Sequence, residues 1–156
     1  MALAPAVEDF LEQQSITYDV VLHPRSVSST RIAQVAHVPG DQLAKSVLLE
    51  DEYGYLIAVI PATHRLDLGK LHRQLDRRVG LAIEREVTEL FRDCDPGAIP
   101  PLGFAYNVET VVDDTLLNQP DIYFEAGDHE ALVHVSGNAF AAMMAGTPHG
   151  RFTHHS

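Results

Sequence analysis

The sequence predicts an α+β fold: a single domain with a mixed, mainly antiparallel sheet and flanking helices. Three observations carry that expectation. Strand-like and helix-like hydrophobic spacings follow one another without a regular strand–helix–strand repeat. The link Asp51-Glu52-Tyr53-Gly54 joins two apolar segments with the length and glycine of a hairpin turn. A chain of 156 residues can bury one core without covalent staples, and no repeat, linker or low-complexity tract divides residues 1–156.

The elements follow in order. Ala6 to Gln14 places Val7, Phe10 and Leu11 at helical spacing, and Thr17 to Leu22 turns β-branched before His23-Pro24 stops it. Ser28, Ser29 and Thr30 offer N-caps for a short helix over Arg31 to His37, which Pro39-Gly40 ends. Leu43 to Leu49 and Tyr55 to Ile60 are the hairpin strands. Asp67 caps a helix from Leu68 to Leu75, a short strand follows near Val79 to Ala82, and a helix from Glu84 to Phe91 opens with acidic residues that suit its positive end. Thr110 to Val112, Ile122 to Ala126 and Ala131 to Val135 read as strands, the last two joined through Gly127-Asp128. Ser136 caps a closing helix from Asn138 to Ala145, which Gly146 ends.

Composition narrows the function. A formal charge of -11 argues against a general nucleic-acid binder, which draws most of its affinity from neutralising phosphates. Yet Arg65, Lys70, Arg73, Arg77, Arg78, Arg85 and Arg92 gather most of the basic side chains into one region, so a local basic face on an acidic body suits weak or end-specific contact with an acidic ligand. The lone cysteine, Cys94, excludes an intramolecular disulfide and a Cys-based zinc site, and reads as a small loop or core residue rather than a nucleophile. Met1 to Phe10 has no basic region followed by an apolar run, and no segment is long and apolar enough to span a bilayer. A soluble cytoplasmic protein without a membrane partner is the expectation.

Asp95-Pro96-Gly97-Ala98-Ile99-Pro100-Pro101-Leu102-Gly103 joins a backbone that can approach a ligand closely to one that can scarcely move. Gly97 and Gly103 lack a Cβ, while Pro96, Pro100 and Pro101 fix φ and remove amide donors. The amides of Gly97, Ala98 and Ile99 remain as donors, and Pro100 and Pro101 form an apolar wall. The same composition also suits a rigid connection that binds nothing. A second candidate is Lys45, which shares one side of its strand with Leu43, Val47 and Leu49, opposite Ala44, Ser46 and Leu48. An ammonium there must snorkel to an edge, pair, or point into a cleft where an anion can sit.

The motifs Ala44-Lys45-Ser46-Val47, Ile60-Pro61-Ala62, Arg65-Leu66-Asp67-Leu68, the loop from Gly97 to Gly103, and Tyr123-Phe124-Glu125-Ala126-Gly127-Asp128-His129 occur in an order that resembles the YbaK-like, or prolyl-tRNA synthetase insertion-like, aminoacyl-tRNA deacylases. The resemblance runs from about Ser28 to Phe140 and implies that the whole chain is one editing domain. It implies an enzyme that hydrolyses, in trans, the ester between a wrongly attached amino acid and the terminal adenosine of a tRNA. The family's strand lysine falls on Lys45, its G-x-x-x-P element on Gly97 and Pro101, and the histidine of its proline- and alanine-side members on His129. Lys45, Gly97, Ala98, Ile99, Pro101 and His129 are thereby the catalytic candidates, with Ser46, Pro100 and Gly127 as substrate contacts and no cofactor or metal. The implied partners are the aminoacylated tRNA 3′ end and an aminoacyl-tRNA synthetase, with no DNA. Some relatives carry Asn where this chain has Ser46, which leaves the amino acid open: alanine on a proline tRNA first, then serine, threonine or another small side chain.

Ester hydrolysis needs a positioned water and a stabilised tetrahedral oxyanion, which the amides of Gly97, Ala98 and Ile99 could supply without a titrating nucleophile. Lys45 could meet the terminal phosphate or the developing charge, and His129 could orient water or the substrate's ammonium, or stand exposed on its turn. Asp113, Asp114 and Asp128 could receive that ammonium or simply shape turns. A missing methylene is worth only about 1–3 kcal/mol in a synthetase pocket, so a second, rigid sieve for small side chains has a use. Three rivals stand beside this reading. A metal-dependent hydrolase would draw on His149, His154, His155, His129 and His134, which lack recognised ligand spacing and, at the tail, sit where side chains are usually mobile. A non-catalytic module would bind an aminoacyl-tRNA end or a synthetase through the same cleft. A Ser-His-Asp hydrolase would need a nucleophile-elbow context that neither Ser46 nor Ser136 has.

Overall fold

The computed structural model describes residues 3–25, 29–95 and 97–155. In chain order the elements are α1 (Pro5–Gln13), β1 (Asp19–Leu22), α2 (Ser29–Ala36), β2 (Leu43–Asp51), β3 (Gly54–Pro61), β4 (His64–Leu66), α3 (Leu68–Leu75), β5 (Gly80–Leu81), α4 (Glu84–Leu90), β6 (Glu109–Asp113), α5 (Asp114–Leu117), β7 (Asp121–Glu125), β8 (Ala131–Ser136), α6 (Gly137–Met143), β9 (His149–Gly150) and β10 (Thr153–His155). The main sheet runs β1-β8-β7-β2-β3-β6-β9, with β5 added to β2, while β10 and β4 form a separate ribbon. The β2–β3, β7–β8, β1–β8 and β2–β5 pairs are antiparallel, whereas β2–β7, β3–β6 and β6–β9 are parallel. This is the mixed, mostly antiparallel α+β architecture that the sequence predicts.

The β2–β3 hairpin is the axis of the molecule, and its two faces are both covered. Ile57 and Val59 pack with Val7 and Leu11 of α1, Phe91, Ile99, Leu102, Phe124 and Phe140. Leu56, Ala58 and Ile60 face the other way, against Leu71 of α3, Val79 and Phe152. Period two therefore sends alternate residues of one strand into two cores. The caps work as their residue types require: Asp67 Oδ1 accepts from the Lys70 amide at 3.0 Å, and Ser136 Oγ accepts from the Ala139 amide at 3.0 Å. The hairpin end is clamped by Arg77, which donates to both carboxylate oxygens of Asp51 at 2.7 and 3.0 Å and to Glu109 at 2.8 Å. The Arg77 guanidinium holds the Asp51 carboxyl below its ordinary range.

Several boundaries differ from the sequence expectation. α2 starts at Ser29, so Ser29 and Thr30 lie in its first turn rather than capping it, and Ser28 lies outside the described residues. The chain leaves α2 through His37, at φ +59°, and Pro39-Gly40 instead opens a single 3-10 turn. β4, α5, β9 and β10 carry no clear periodicity and were not expected. The tail is ordered by one buried carboxylate: Asp113, fully buried, accepts from the Thr115 amide at 3.1 Å, the Thr115 hydroxyl at 2.6 Å and the Phe152 amide at 3.1 Å. His154 and His155 thus sit in a strand rather than on a mobile tail, and His149 pairs with Asp114 at 2.6 Å. Asp113 and Asp114 thus hold local structure. Among the described residues no helix is long and apolar enough to cross a membrane.

His134 of β8 lies between Asp19 of β1, at 3.2 Å, and Asp121 of β7, at 2.8 Å. Burial pulls its pKa down, but the hydrogen bonds to Asp121 and Asp19 and their negative charge outweigh that and leave it raised. Because the folded value lies above the unfolded one, this stabilisation is fully present below the ordinary histidine range and is lost as pH rises through the raised value. His134→Gln is expected to lower urea resistance relative to the parent at about pH 5.5 and to match it at about pH 8.5; an equal gap at both would show that charge is not the cause. Asp113→Ala is expected to cost about 3 kcal/mol, since it orphans three donors. That is a Tm lowered by roughly 6–12 °C in a calorimetric scan, with Asp114→Ala nearly neutral.

Candidate active site

The outer edge of β2 is where the sheet opens. β3 accompanies β2 along its length, but on the other edge β7 pairs only Leu43 and Ala44, and β5 only Leu49 and Glu50. Successive residues of an antiparallel strand direct their amide and carbonyl to alternate edges. Leu43 accepts from Ala62 beside β3, at 2.8 Å, and Leu48 accepts from Ala82 on the outer side, at 3.0 Å. The main chain of Ser46 therefore faces the interval between β7 and β5, where no strand reaches it. Its hydroxyl is also buried without a hydrogen-bond partner among the described residues.

This interval is a cleft of ≈ 680 Å³, a size ordinary for small-ligand sites. Val47, Leu48, Ala82, Val87 and Ile99 give it an apolar lining, and Ser46, Gly97, His129, Arg25 and Glu84 bring polar groups. The structure thus brings together four residues singled out from sequence: Ser46, Gly97, Ile99 and His129. It does not put Lys45, Ala98, Pro100, Pro101 or Gly127 on the lining.

The stiff loop explains part of that division, although Pro96 lies outside the described residues. The Asp95 amide donates to Gly127 O at 2.6 Å and the Ala98 amide to Asp95 O at 3.0 Å. Ala98 is therefore not an open donor, as its main chain closes a turn; the open amides are those of Gly97 and Ile99, which have no acceptor among the described residues. Pro100 and Pro101 are buried behind the loop, anchoring it instead of facing a ligand. Gly97 has φ +82°, and a Cβ there would stand 3.2 Å from His129 Cε1. Glycine is required twice over, by the left-handed backbone and by the imidazole against it.

His129 is not an exposed turn residue. It is 1% exposed and holds φ +60°, on a turn that Asp128 Oδ1 shapes by accepting from the Glu130 and Ala131 amides, both at 3.0 Å. Gly127 supports this turn from behind, where a Cβ would lie 3.1 Å from Ala4 Cβ. Lys45 lies on the opposite face of β2 from Ser46, half-buried. Burial lowers its pKa, the charge of Arg65 adds to that, and no carboxylate offsets either.

Sequence reasoning missed Arg25, Leu81, Ala82, Glu84 and Val87. Arg25 donates to Asp128 O and to the Asp95 carboxylate, each at 3.2 Å, tying the His129 turn to the stiff loop. Nothing in His23-Pro24-Arg25 signals more than a strand stop. Glu84 and Val87 reach the cleft because α4 is pinned over β3, where the Tyr55 hydroxyl donates to the Glu86 carboxylate. Leu81, a large apolar residue on the lining, stays exposed, but that is visible only in the structure. Burial, with the Asp93 and Asp95 carboxylates beside it, pushes the Cys94 thiol up to about 12, which disfavours the thiolate a nucleophile needs.

Comparison with known proteins follows the same residues. The profile of the aminoacyl-tRNA editing domain matches residues 23–143. A crystal structure of a candidate trans-editing enzyme for prolyl tRNA synthetase superposes with a TM-score of 0.82 at 26% identity, covering 98% of this chain and 99% of that one. The crystal structure of hypothetical protein APE2540 superposes with a TM-score of 0.84 at 24% identity, covering 96% of this chain and 99% of that one, and shares the fold. No curated protein sequence matches. The matched span takes in the open edge of β2, the stiff loop and the His129 turn, and the chain belongs to the aminoacyl-tRNA editing domain family.

Proposed function

We propose that the chain, as one YbaK-like editing domain, is a trans-editing hydrolase of the cytoplasm that deacylates mischarged tRNA released by an aminoacyl-tRNA synthetase. The observation that carries this reading is that Gly97 and Ile99, whose amides have no acceptor among the described residues, line one cleft together with Ser46 and His129. A water adds to the ester carbonyl, and the carbonyl oxygen becomes an oxyanion facing main-chain donors that need no reorganisation. The adenosine oxygen then leaves with a proton, and the free amino acid departs. His129 orients the water or the reacting ester, and Glu84, the carboxylate on the lining, receives the α-ammonium. Lys45, left without a carboxylate partner beside Arg65, meets the terminal phosphate at the end of β2. The apolar lining accommodates a small side chain such as alanine on a proline tRNA, or serine or threonine, and the anchored loop excludes larger ones.

Deacylation of a panel of small amino acids on several tRNAs tests the reading, and hydrolysis of at least one mischarged tRNA is expected to persist in chelator. Binding without turnover would make the chain a non-catalytic module. Gly97→Ala is expected to lower turnover by about tenfold or more while costing only about 1–2 kcal/mol of stability. Lys45→Ala is expected to act mainly on KM, because a phosphate contact is made equally in the ground and transition states. Unchanged kinetics in both variants would remove this site assignment.

A further inference from the structure

Among the described residues the cleft lining holds one side chain of fixed positive charge, Arg25, and one carboxylate, Glu84. The deacylation proposed above gives Arg25 no contact with substrate. Arg25 and Glu84 do not neutralise each other, since the ion pair that Arg25 makes is with Asp95. Lys45, the other cation assigned to the substrate, stands on the opposite face of β2 from Ser46 and is not on the lining. A phosphate approaching through the cleft therefore meets Arg25.

The guanidinium is held in place but not used up. Nη1 donates to Asp128 O and Nη2 to the Asp95 carboxylate, each at 3.2 Å. A guanidinium carries more N–H groups than these two bonds use, and the Arg25 side chain is 56% exposed. An ion pair as open as this, with Asp95 44% exposed, adds little stability of its own. What the two anchors do is fix the guanidinium at the edge of the cleft, between the His129 turn and the stiff loop. A planar fork fixed in this way suits a phosphate, which accepts two parallel N–H bonds from it.

The two charges also match the substrate in sign. The aminoacyl adenosine that ends a charged tRNA carries an α-ammonium on its amino acid and, at the other end of the nucleoside, the terminal phosphate. A cleft whose carboxylate and guanidinium leave each other unpaired is complementary to such a dipolar ligand. We propose that Arg25 is a second contact for the terminal phosphate, made from the cleft side and in addition to that of Lys45, and that it sets the direction of the substrate, with the phosphate toward Arg25 and the aminoacyl group toward Glu84 and α4. The N–H groups left over meet the phosphate while the bonds to Asp128 and Asp95 persist. Arg25 is then more than a strut between loop and turn. The identity of the substrate rests on the deacylase reading; the phosphate contact does not.

Small probes titrated onto the full chain and followed by NMR separate a phosphate contact from a strut. The wild type is expected to bind adenosine 5′-monophosphate more tightly than either adenosine or inorganic phosphate. Arg25→Gln is expected to weaken the monophosphate by about tenfold and leave adenosine unchanged, and Arg25→Lys, which keeps the charge without the fork, to fall between. Asp95→Asn weakens the strut but removes a competing negative charge, so it is expected to bind the monophosphate at least as tightly as wild type. In deacylation, Arg25→Gln is expected to raise KM with kcat within about twofold, and to flatten the dependence of log kcat/KM on log salt by a slope of about 0.7. A wild type without preference for the monophosphate over adenosine, inorganic phosphate bound as tightly as the monophosphate, or equal weakening by Arg25→Gln and Asp95→Asn would overturn the proposal. If no mischarged tRNA is hydrolysed, the deacylase reading falls while the titrations still decide the phosphate contact.

Discussion

The interrupted outer edge of β2 is the constraint on which the rest of the site depends. A strand inside a sheet normally spends both edges on its neighbours, and an unpaired amide or carbonyl is tolerable only if water or a ligand reaches it. Here β7 stops at Ala44 and β5 resumes at Leu49, so the chain keeps a few polar main-chain groups unspent in the middle of its most central strand. Everything that lines the cleft is placed to border that opening. β5 carries Leu81 and leads into α4, the stiff loop brings Gly97 and Ile99, and the β7–β8 turn brings His129.

Holding such an opening requires rigid sides. The loop from Asp95 and the turn around His129 come from distant parts of the chain, yet they are joined by the Asp95 amide on Gly127 and by Arg25 across both. Their contact is close enough that a Cβ at Gly97, already on a left-handed backbone, would stand 3.2 Å from the His129 ring. A site of this kind depends on the path of the main chain more than on the identity of its side chains.

The fold was legible where pattern and packing agree. Period two in Leu43 to Leu49 and Tyr55 to Ile60, the hairpin turn, and the caps at Asp67 and Ser136 all appear where hydrophobic spacing and local hydrogen bonding place them. The β10–β4 ribbon was not, because its order comes from one long-range acceptor, Asp113, meeting the Phe152 amide. In the candidate site, Gly97 and Ile99 were legible as residues with open amides, since glycine and proline content announces an immobile, accessible main chain. Ala98 belongs to the same run, but which amide closes a turn is decided by φ and ψ, not composition. Lys45 was legible as an unmatched cation, and period two already set it opposite Ser46; that the opening falls at Ser46 depends on where β7 and β5 stop pairing with β2, which no local pattern shows. Arg25 and Glu84 left no mark because each reaches the cleft through packing of elements far apart in sequence.

An acidic chain acting on RNA is less paradoxical than its charge of -11 suggests. Affinity for single-stranded nucleic acid scales with the number of phosphates neutralised, at a salt slope of roughly −0.7 for each. A protein that holds only the terminal nucleotide needs one or two such contacts, which Lys45 and a neighbouring arginine could supply. Weak backbone attraction then has a consequence for the editing proposed here. A correctly charged tRNA is not retained by its stem, so discrimination rests on whether the aminoacyl group enters the cleft. On that proposal, selectivity falls on the same unspent strand edge and anchored loop that would supply the oxyanion donors, so binding and chemistry would share one piece of main chain.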